Sequence, residues 1–143
     1  MSLVYLDTSA LLKLCVLETG SDLAVALWSG ADALVTSRIA DAEVRSVLAS
    51  AERIGRIDAA PAAQARERWA ELWPGIAKLE VTARIAERAA DLCDRRPLRA
   101  GDALHLASAL EFADASPVFV AWDRRLATAG RAEGLQVLPP ALA

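Results

Sequence analysis

Cysteine, histidine and aromatic residues are scarce in this chain, which has two cysteines, one histidine and 5% aromatics among 143 residues. Cys15 and Cys93 are far apart in sequence and form no CxxC pair, so buried thiols are expected rather than a disulfide. One histidine and two distant cysteines supply too few soft ligands for a structural zinc site. No apolar run is long enough to span a bilayer. The segment Met1 to Leu6 lacks a basic region and meets a carboxylate at Asp7, which does not read as a signal peptide, and a cytoplasmic protein is expected. Glycine and proline do not cluster into linkers, and no internal repeat or low-complexity tract is present. Residues 1–143 are therefore expected to form a single domain. The formal net charge of −3 argues against bulk electrostatic capture of nucleic acid, though not against local capture.

What the chain does have is apolar content, 55% of the sequence. That excludes disorder, and a domain of this length buries roughly 70% of the surface its unfolded chain exposes. The periodicity alternates between strand and helix. A strand over 3–7 is followed by helical stretches near 9–17 and 21–29, then a short strand over Ala33 to Thr36. Two long helices over about 38–54 and 59–73 come next, the second with Pro61 in its first turn, where proline is tolerated, and Pro74-Gly75 ends it. Ile76 to Val81 reads as a strand, Thr82 to Asp94 as a helix, Gly101 to Phe112 as a helix and Val118 to Trp122 as a strand. A helix from Arg124 to Ala132 and a last strand from Leu135 to Leu138 complete the order. Strands separated by helices predict an α/β fold of three layers, α/β/α, around a mostly parallel five-stranded sheet.

Four acids stand out against that frame. Asp7 and Asp123 end apolar strands, and the carboxyl ends of strands are where open α/β sheets place their active sites. Glu43 lies in the helical run Arg38 to Ile54 and borders the apolar stripe of Ala40, Val44, Val47, Leu48 and Ala51. Asp102 opens the run from Gly101 and shares a face with Leu106 and Ala109. Singly, each acid could be an ordinary helix cap or a surface charge; together they point to one rim of the sheet. Packed within a few ångströms, each like-charged pair costs about 3 kcal/mol at an effective dielectric near 20. Such a cluster calls for a neutralising cation. All-oxygen ligands suit magnesium, with manganese able to substitute, and such ions serve phosphodiester hydrolysis.

The segments that carry these acids resemble the PIN-domain family, in particular its VapC-type ribonuclease toxins. They are Tyr5-Leu6-Asp7-Thr8-Ser9-Ala10-Leu11-Leu12-Lys13, Ser37-Arg38-Ile39-Ala40-Asp41-Ala42-Glu43-Val44, Gly101-Asp102-Ala103-Leu104-His105-Leu106-Ala107 and Asp123-Arg124-Arg125-Leu126, with Gly134-Leu135 and Pro139 beyond. The resemblance covers essentially the whole chain. It implies an α/β/α sandwich, a magnesium-dependent endoribonuclease with RNA as substrate, and a cognate antitoxin protein as partner. By matched positions it implies metal-site roles for Asp7, Glu43, Asp102 and Asp123, with Thr8 as a supporting hydroxyl. One position departs: two residues before Asp123 the family often has Thr or Ser, and here Ala121 stands, so a polar contact to the site is expected to be missing.

The remaining polar and aromatic residues have simpler expectations. His105, three residues after Asp102 on a largely apolar helix, reads as a satisfied core residue rather than a general base. Ser9 and Ser37 stand at helix starts and read as N-caps, with orientation of Asp7 as the sharper alternative for Ser9. Trp69 and Trp73, four apart with Arg66 nearby, read as a packing or dimer face, and a homodimer is the expected assembly. Arginines 38, 45, 95, 96, 99, 124 and 125 flank the acidic segments and give an acidic protein a way to hold RNA phosphates. Rival chemistries fit less well. A haloacid-dehalogenase-type site needs a second Asp two residues after the first, where Ser9 stands, and a receiver domain needs paired acids that residues 1–20 do not offer. A PIN-fold nuclease that processes RNA outside a toxin-antitoxin pair stays open, as does a non-catalytic PIN-like RNA-binding scaffold, whose acids would be eroded.

Overall fold

In the computed structural model, which describes residues 2–141, strands and helices alternate as the periodicity predicts. The order is β1 (Leu3–Leu6), α1 (Thr8–Cys15), α2 (Ser21–Gly30), β2 (Ala33–Ser37), α3 (Ala40–Arg53) and α4 (Ala59–Leu72). It continues with β3 (Ala77–Leu79), α5 (Ala83–Arg95), α6 (Ala100–Leu110), β4 (Val118–Val120), α7 (Arg124–Ala132) and β5 (Gln136–Leu138). The five strands form one sheet in the order β3-β2-β1-β4-β5, and every pairing is parallel. β1 is the central strand, and all four of its residues are buried. Its alternating side chains feed two cores. Leu3 and Tyr5 pack with α5, α6 and α7, whereas Val4 and Leu6 pack with α1, α3 and α4. Helices thus cover both faces of the sheet, which is why its strands read as continuous apolar runs.

Strand order puts the ends of β1 and β4 side by side. From β1 the chain runs outward through β2 and β3 and then returns to β4 on the other side of β1, so the crevice beyond β1 and β4 is the sheet's switch point. The backbone N–H of Asp7 donates to the carbonyl of Val120 at 3.2 Å, tying the two strand ends together. Four helix N-termini gather at this edge. α1, α3 and α7 each leave a strand there, and α6, which runs back toward the start of β4, begins there.

Several local expectations change. α3 begins at Ala40 rather than Arg38, because the Arg38 N–H extends the β2–β3 ladder to the Leu79 carbonyl at 2.9 Å. Ser37 is accordingly the last residue of β2, not a helix cap, although its Oγ does accept the Ile39 N–H at 3.3 Å. Val47 is 45% exposed and lies outside the core stripe that Ala40, Val44 and Leu48 form. Trp69 is buried inside the chain, with its indole N–H donating to Asp41 Oδ1 at 2.8 Å and its ring against Trp73. Within the chain, the pair forms a packing face. Cys15 and Cys93 are free thiols, and burial pushes the Cys15 thiol up to about 12, so it stays protonated. No helix among the described residues is long and apolar enough to cross a membrane.

One glycine is required at the rim. Gly20 has φ +97°, and a Cβ added there would lie 2.8–2.9 Å from the Trp122 indole. Left-handed backbone strain and overpacking each cost about 1–3 kcal/mol. Gly20→Ala is therefore expected to lower stability by about 2 kcal/mol or more in urea melts; an unchanged midpoint would show that the indole moves aside freely.

Candidate active site

Each of the four predicted acids sits within the first turn of a helix at the switch-point edge, or caps one. Asp7 follows β1 and caps α1, its Oδ1 accepting the Ala10 N–H at 2.9 Å. Asp123 follows β4 and caps α7, its Oδ1 accepting the Leu126 N–H at 2.9 Å. Glu43 lies in the first turn of α3 and Asp102 in the first turn of α6. Helix N-termini carry partial positive charge, which lets carboxylates gather where they would otherwise repel. Asp7 and Asp123 are thus ordinary helix caps that also stand where β1 and β4 end.

The electrostatics show which acids are brought together. Asp7 is almost fully buried, and its carboxyl is pushed up to about 6, first by burial, against the pull of His105 and the bonds from Ser9 and Ala10, with the charge of Asp102 adding to the rise. Asp102, half-buried, is also raised, by burial first, then by the charge of Asp123, with Glu43 contributing. Glu43 behaves oppositely. Burial works to raise it, but the bond and charge of His105 and the bond from Thr8 outweigh that and hold it below the usual carboxylate range. Asp102 is therefore the electrical centre of the group. Asp123, exposed, is the outermost member, facing Asp102 across a cleft of about 420 Å³.

Neighbouring side chains fix these acids in place. Ser9 Oγ donates to Asp7 Oδ1 at 2.6 Å and accepts the Trp122 N–H at 2.9 Å. The N-cap of α1 is Asp7, so Ser9 is the residue that orients Asp7 and not the cap expected from its position. This bridge also links the segment after β4 to the site, where Ala121 is buried in the apolar core and carries no polar group. Thr8 Oγ1 donates to Glu43 Oε1 at 2.7 Å, in keeping with a supporting hydroxyl. His105 is a satisfied core residue, as expected, but it also bonds Glu43 Oε1 through Nε2 at 2.6 Å. Its spacing of one helical turn from Asp102 was the only signal of that contact. Gly101 was not singled out by the sequence either, yet a Cβ there would meet Glu43 Oε2 at 2.7 Å.

The arginines divide into two groups. Arg38 pairs with Glu80, Arg45 with Asp41, Arg95 with Asp91 and Glu133, and Arg96 with Glu133. Arg99, Arg124 and Arg125 line the cleft beside Asp102, Trp122 and Asp123. Among the described residues, no carboxylate lies within ion-pair distance of Arg99 or Arg125. The rim therefore joins carboxylates to cations a few residues away.

Whether these residues suit a divalent cation can be judged from their donors. They are all carboxylate oxygens, the class that magnesium and manganese prefer, and burial first, with neighbouring acid charge after it, raises Asp7 and Asp102, which a bound cation would offset. Among the described residues no three His, Cys, Asp or Glu side chains form a ready ligand shell. Magnesium usually takes one or two carboxylates and keeps several waters, so an open donor set fits it.

The PIN domain family matches residues 4–132. Two curated relatives from Mycobacterium tuberculosis, Ribonuclease VapC45 and Ribonuclease VapC49, are each 44% identical over 142 residues, covering 99% of this chain and 99% of their own. A solved toxin-antitoxin complex from Klebsiella pneumoniae superposes with a TM-score of 0.66 at 20% identity, over 98% of this chain and 99% of that one. On the family match over residues 4–132 and the 44% identity over the full chain, this chain belongs to the PIN-domain family, in its VapC group.

Proposed function

We propose that this protein is a magnesium-dependent endoribonuclease, with manganese able to substitute, that hydrolyses RNA phosphodiester bonds and acts as the toxin of a toxin-antitoxin pair. The observation that supports the reading is that Asp102 and Asp123 line one cleft, that charge couples Asp102 to both Asp7 and Glu43, and that Asp7 is buried and, first by that burial, pushed up to about 6. The names of the 44% identical relatives support ribonuclease activity, and the toxin-antitoxin neighbour supports a protein partner.

In this reading Asp7 and Asp102 hold the cation most directly, Glu43 and Asp123 complete the charge around it, and Thr8 keeps Glu43 in place. When bound, a divalent ion supplies positive charge for the phosphodiester and its leaving oxygen and eases the ionisation of water. The chain's own residues do the rest. Arg99 and Arg125 draw the flanking phosphates into the cleft, Ser9 and the α1 amide fix the direction of Asp7, and the apolar floor of β1 and β4 excludes water from beneath it. An antitoxin suits the same cleft if it offers an arginine, because a guanidinium satisfies two carboxylates at once.

Freed of any co-purifying protein, the chain should cut a circular RNA, which only an endonuclease can do. An Asp102→Asn preparation purified identically should not. Equal cutting by both would assign the activity to a contaminant and leave a non-catalytic scaffold as the better account. Co-expression with the product of an adjacent reading frame should suppress toxicity, and an arginine-to-alanine scan of that product should include one change that relieves inhibition. If no arginine matters, the inhibitor blocks by shape alone.

Gly101 gives this reading a separate check. Replacing it with Ala favours the helix by about 1 kcal/mol on intrinsic propensity, yet the new Cβ would overlap Glu43 Oε2, whose carboxylate is pinned on its other oxygen by Thr8 and His105. Gly101→Ala is expected to lower cleavage about tenfold with no loss in melting temperature. Full activity in that variant would show that the position of Glu43 is unimportant.

A further inference from the structure

We infer that His105 is a positioning residue that, together with Tyr5 and Thr8, holds Glu43 in register at the cleft and so sets how tightly the acids bind a divalent cation. The inference rests on the proposed metal site and concerns the residues that stand behind Glu43.

The geometry is a continuous hydrogen-bonded chain through the core. Tyr5 Oη lies 2.9 Å from His105 Nδ1, His105 Nε2 lies 2.6 Å from Glu43 Oε1, and Thr8 Oγ1 lies 2.7 Å from the same Oε1 and 3.0 Å from Nε2. It draws one residue from each of β1, α1, α3 and α6, with Thr8 and His105 meeting on one Glu43 oxygen and Tyr5 behind His105. Both rings are fully enclosed: Tyr5 and His105 are 0% and 1% exposed. Tyr5 stacks on Phe119 of β4 and meets the imidazole edge-on, so the ring that grips Glu43 is fastened to the central strand.

Proton placement follows from the donors. Burial raises the Tyr5 phenol far above its ordinary range, so it keeps its proton and can donate to Nδ1. The imidazole proton then stands on Nε2, and a fully protonated ring would have one there too. Either way Nε2–H donates to Glu43 Oε1, and the Thr8 hydroxyl donates to the same oxygen. Oε2 is left as the oxygen beside Gly101 and the crevice. A carboxylate fixed in this way loses little freedom when it meets a cation, and partners of this kind change metal affinity by about 10- to 100-fold when removed.

A residue that only fills the core makes a different prediction, because leucine fills the space nearly as well. Direct Mn²⁺ titration of the untagged protein, followed by the paramagnetic signal of free Mn²⁺, separates the two roles without any turnover. His105→Leu is expected to weaken Mn²⁺ binding about tenfold and to lower kcat with little change in KM for RNA. His105→Gln, whose amide nitrogen can reach the position of Nε2, should restore most of the affinity, and Tyr5→Phe should fall between.

His105 is the chain's only histidine, so its Nε2–H resonance can be assigned without ambiguity. It should be slow to exchange in the metal-free protein and should shift in Glu43→Gln. The inference is overturned if His105→Leu, folded by circular dichroism, binds Mn²⁺ as wild type does, or if a folded His105→Gln recovers nothing. Should His105→Leu fail to fold, Tyr5→Phe decides alone, since it removes the oxygen on Nδ1 and leaves the ring in the core, and wild-type affinity there would overturn the chain of bonds. Glu43→Gln keeps the underlying reading separate. If that variant binds Mn²⁺ normally, the metal site itself is misassigned; if it binds weakly while His105→Leu does not, only the positioning role fails.

Discussion

Treated exhaustively with EDTA, the purified chain is expected to leave RNA uncut, and added magnesium or manganese should restore cleavage in full. The reason is electrostatic. Burial first, and the charge of neighbouring acids after it, push Asp7 up to about 6 and raise Asp102, so ionised carboxylates are disfavoured here before any substrate arrives. An RNA phosphate adds another negative charge to that place. Arg99 and Arg125 stand at the cleft lining, where they can bind a flanking phosphate but do not neutralise buried Asp7. Metal should also stabilise the fold, by about 2.7 kcal/mol at a concentration 100 times its Kd. Cleavage assays and thermal melts with EDTA, then with magnesium, read both effects. Undiminished cutting after chelation would sink the metal-dependent mechanism.

Asp7→Asn is expected to lower cleavage at least a hundredfold while making the metal-free protein more stable, by about 1–2 kcal/mol. Asparagine keeps a side-chain oxygen that can accept from Ser9 and the Ala10 N–H, and it is as good an N-cap as aspartate. What it removes is a buried negative charge. The carboxyl rises from an ordinary 3.8 to about 6 on folding, so the folded state holds this proton more tightly than the unfolded chain does. Its contribution to stability is therefore complete below about pH 4 and is lost as pH climbs through about 6. In EDTA, wild-type stability should fall over that window, and Asp7→Asn should fall less. Asp7→Ala should be less stable than Asp7→Asn, because it loses the cap, at about 1 kcal/mol. Urea melts from pH 4 to pH 8 decide the matter. If Asp7→Asn melts well below wild type at neutral pH in EDTA, the carboxylate is a structural hydrogen-bond acceptor first and the strained picture of the crevice fails.

The elements were legible in the sequence because apolar period and breakers are local signals. The run Leu3 to Leu6 is apolar at every position because helices cover both faces of β1, and Thr82 announces α5 by capping it. Asp7 and Asp123 were legible for a related reason: a residue that ends an apolar strand and opens a helix marks a strand's carboxyl end whatever the rest of the chain does. The segments around all four acids also carried the PIN-domain resemblance. Boundaries were less legible where a tertiary partner intervened, as at Arg38, which a helical period claims and the β2–β3 ladder takes. The same holds for Val47, whose place on the stripe says nothing of whether another element covers it.

Only the tertiary structure could decide which acids share a charge, and what holds them. Strand order puts Asp7 beside the β4 end, across 113 residues from Ser9 to Trp122, and no local pattern encodes a contact of that separation. His105 shows the limit most plainly. A lone histidine on an apolar helix is correctly read as buried and satisfied, but its partners, Tyr5 and Glu43, are 100 and 62 residues away. Sequence determined that this chain forms helices and strands with acids at their ends. Packing decided that Glu43 is held down by His105 and Thr8 while Asp7 and Asp102 are raised, because burial and through-space charge depend on what the fold brings near.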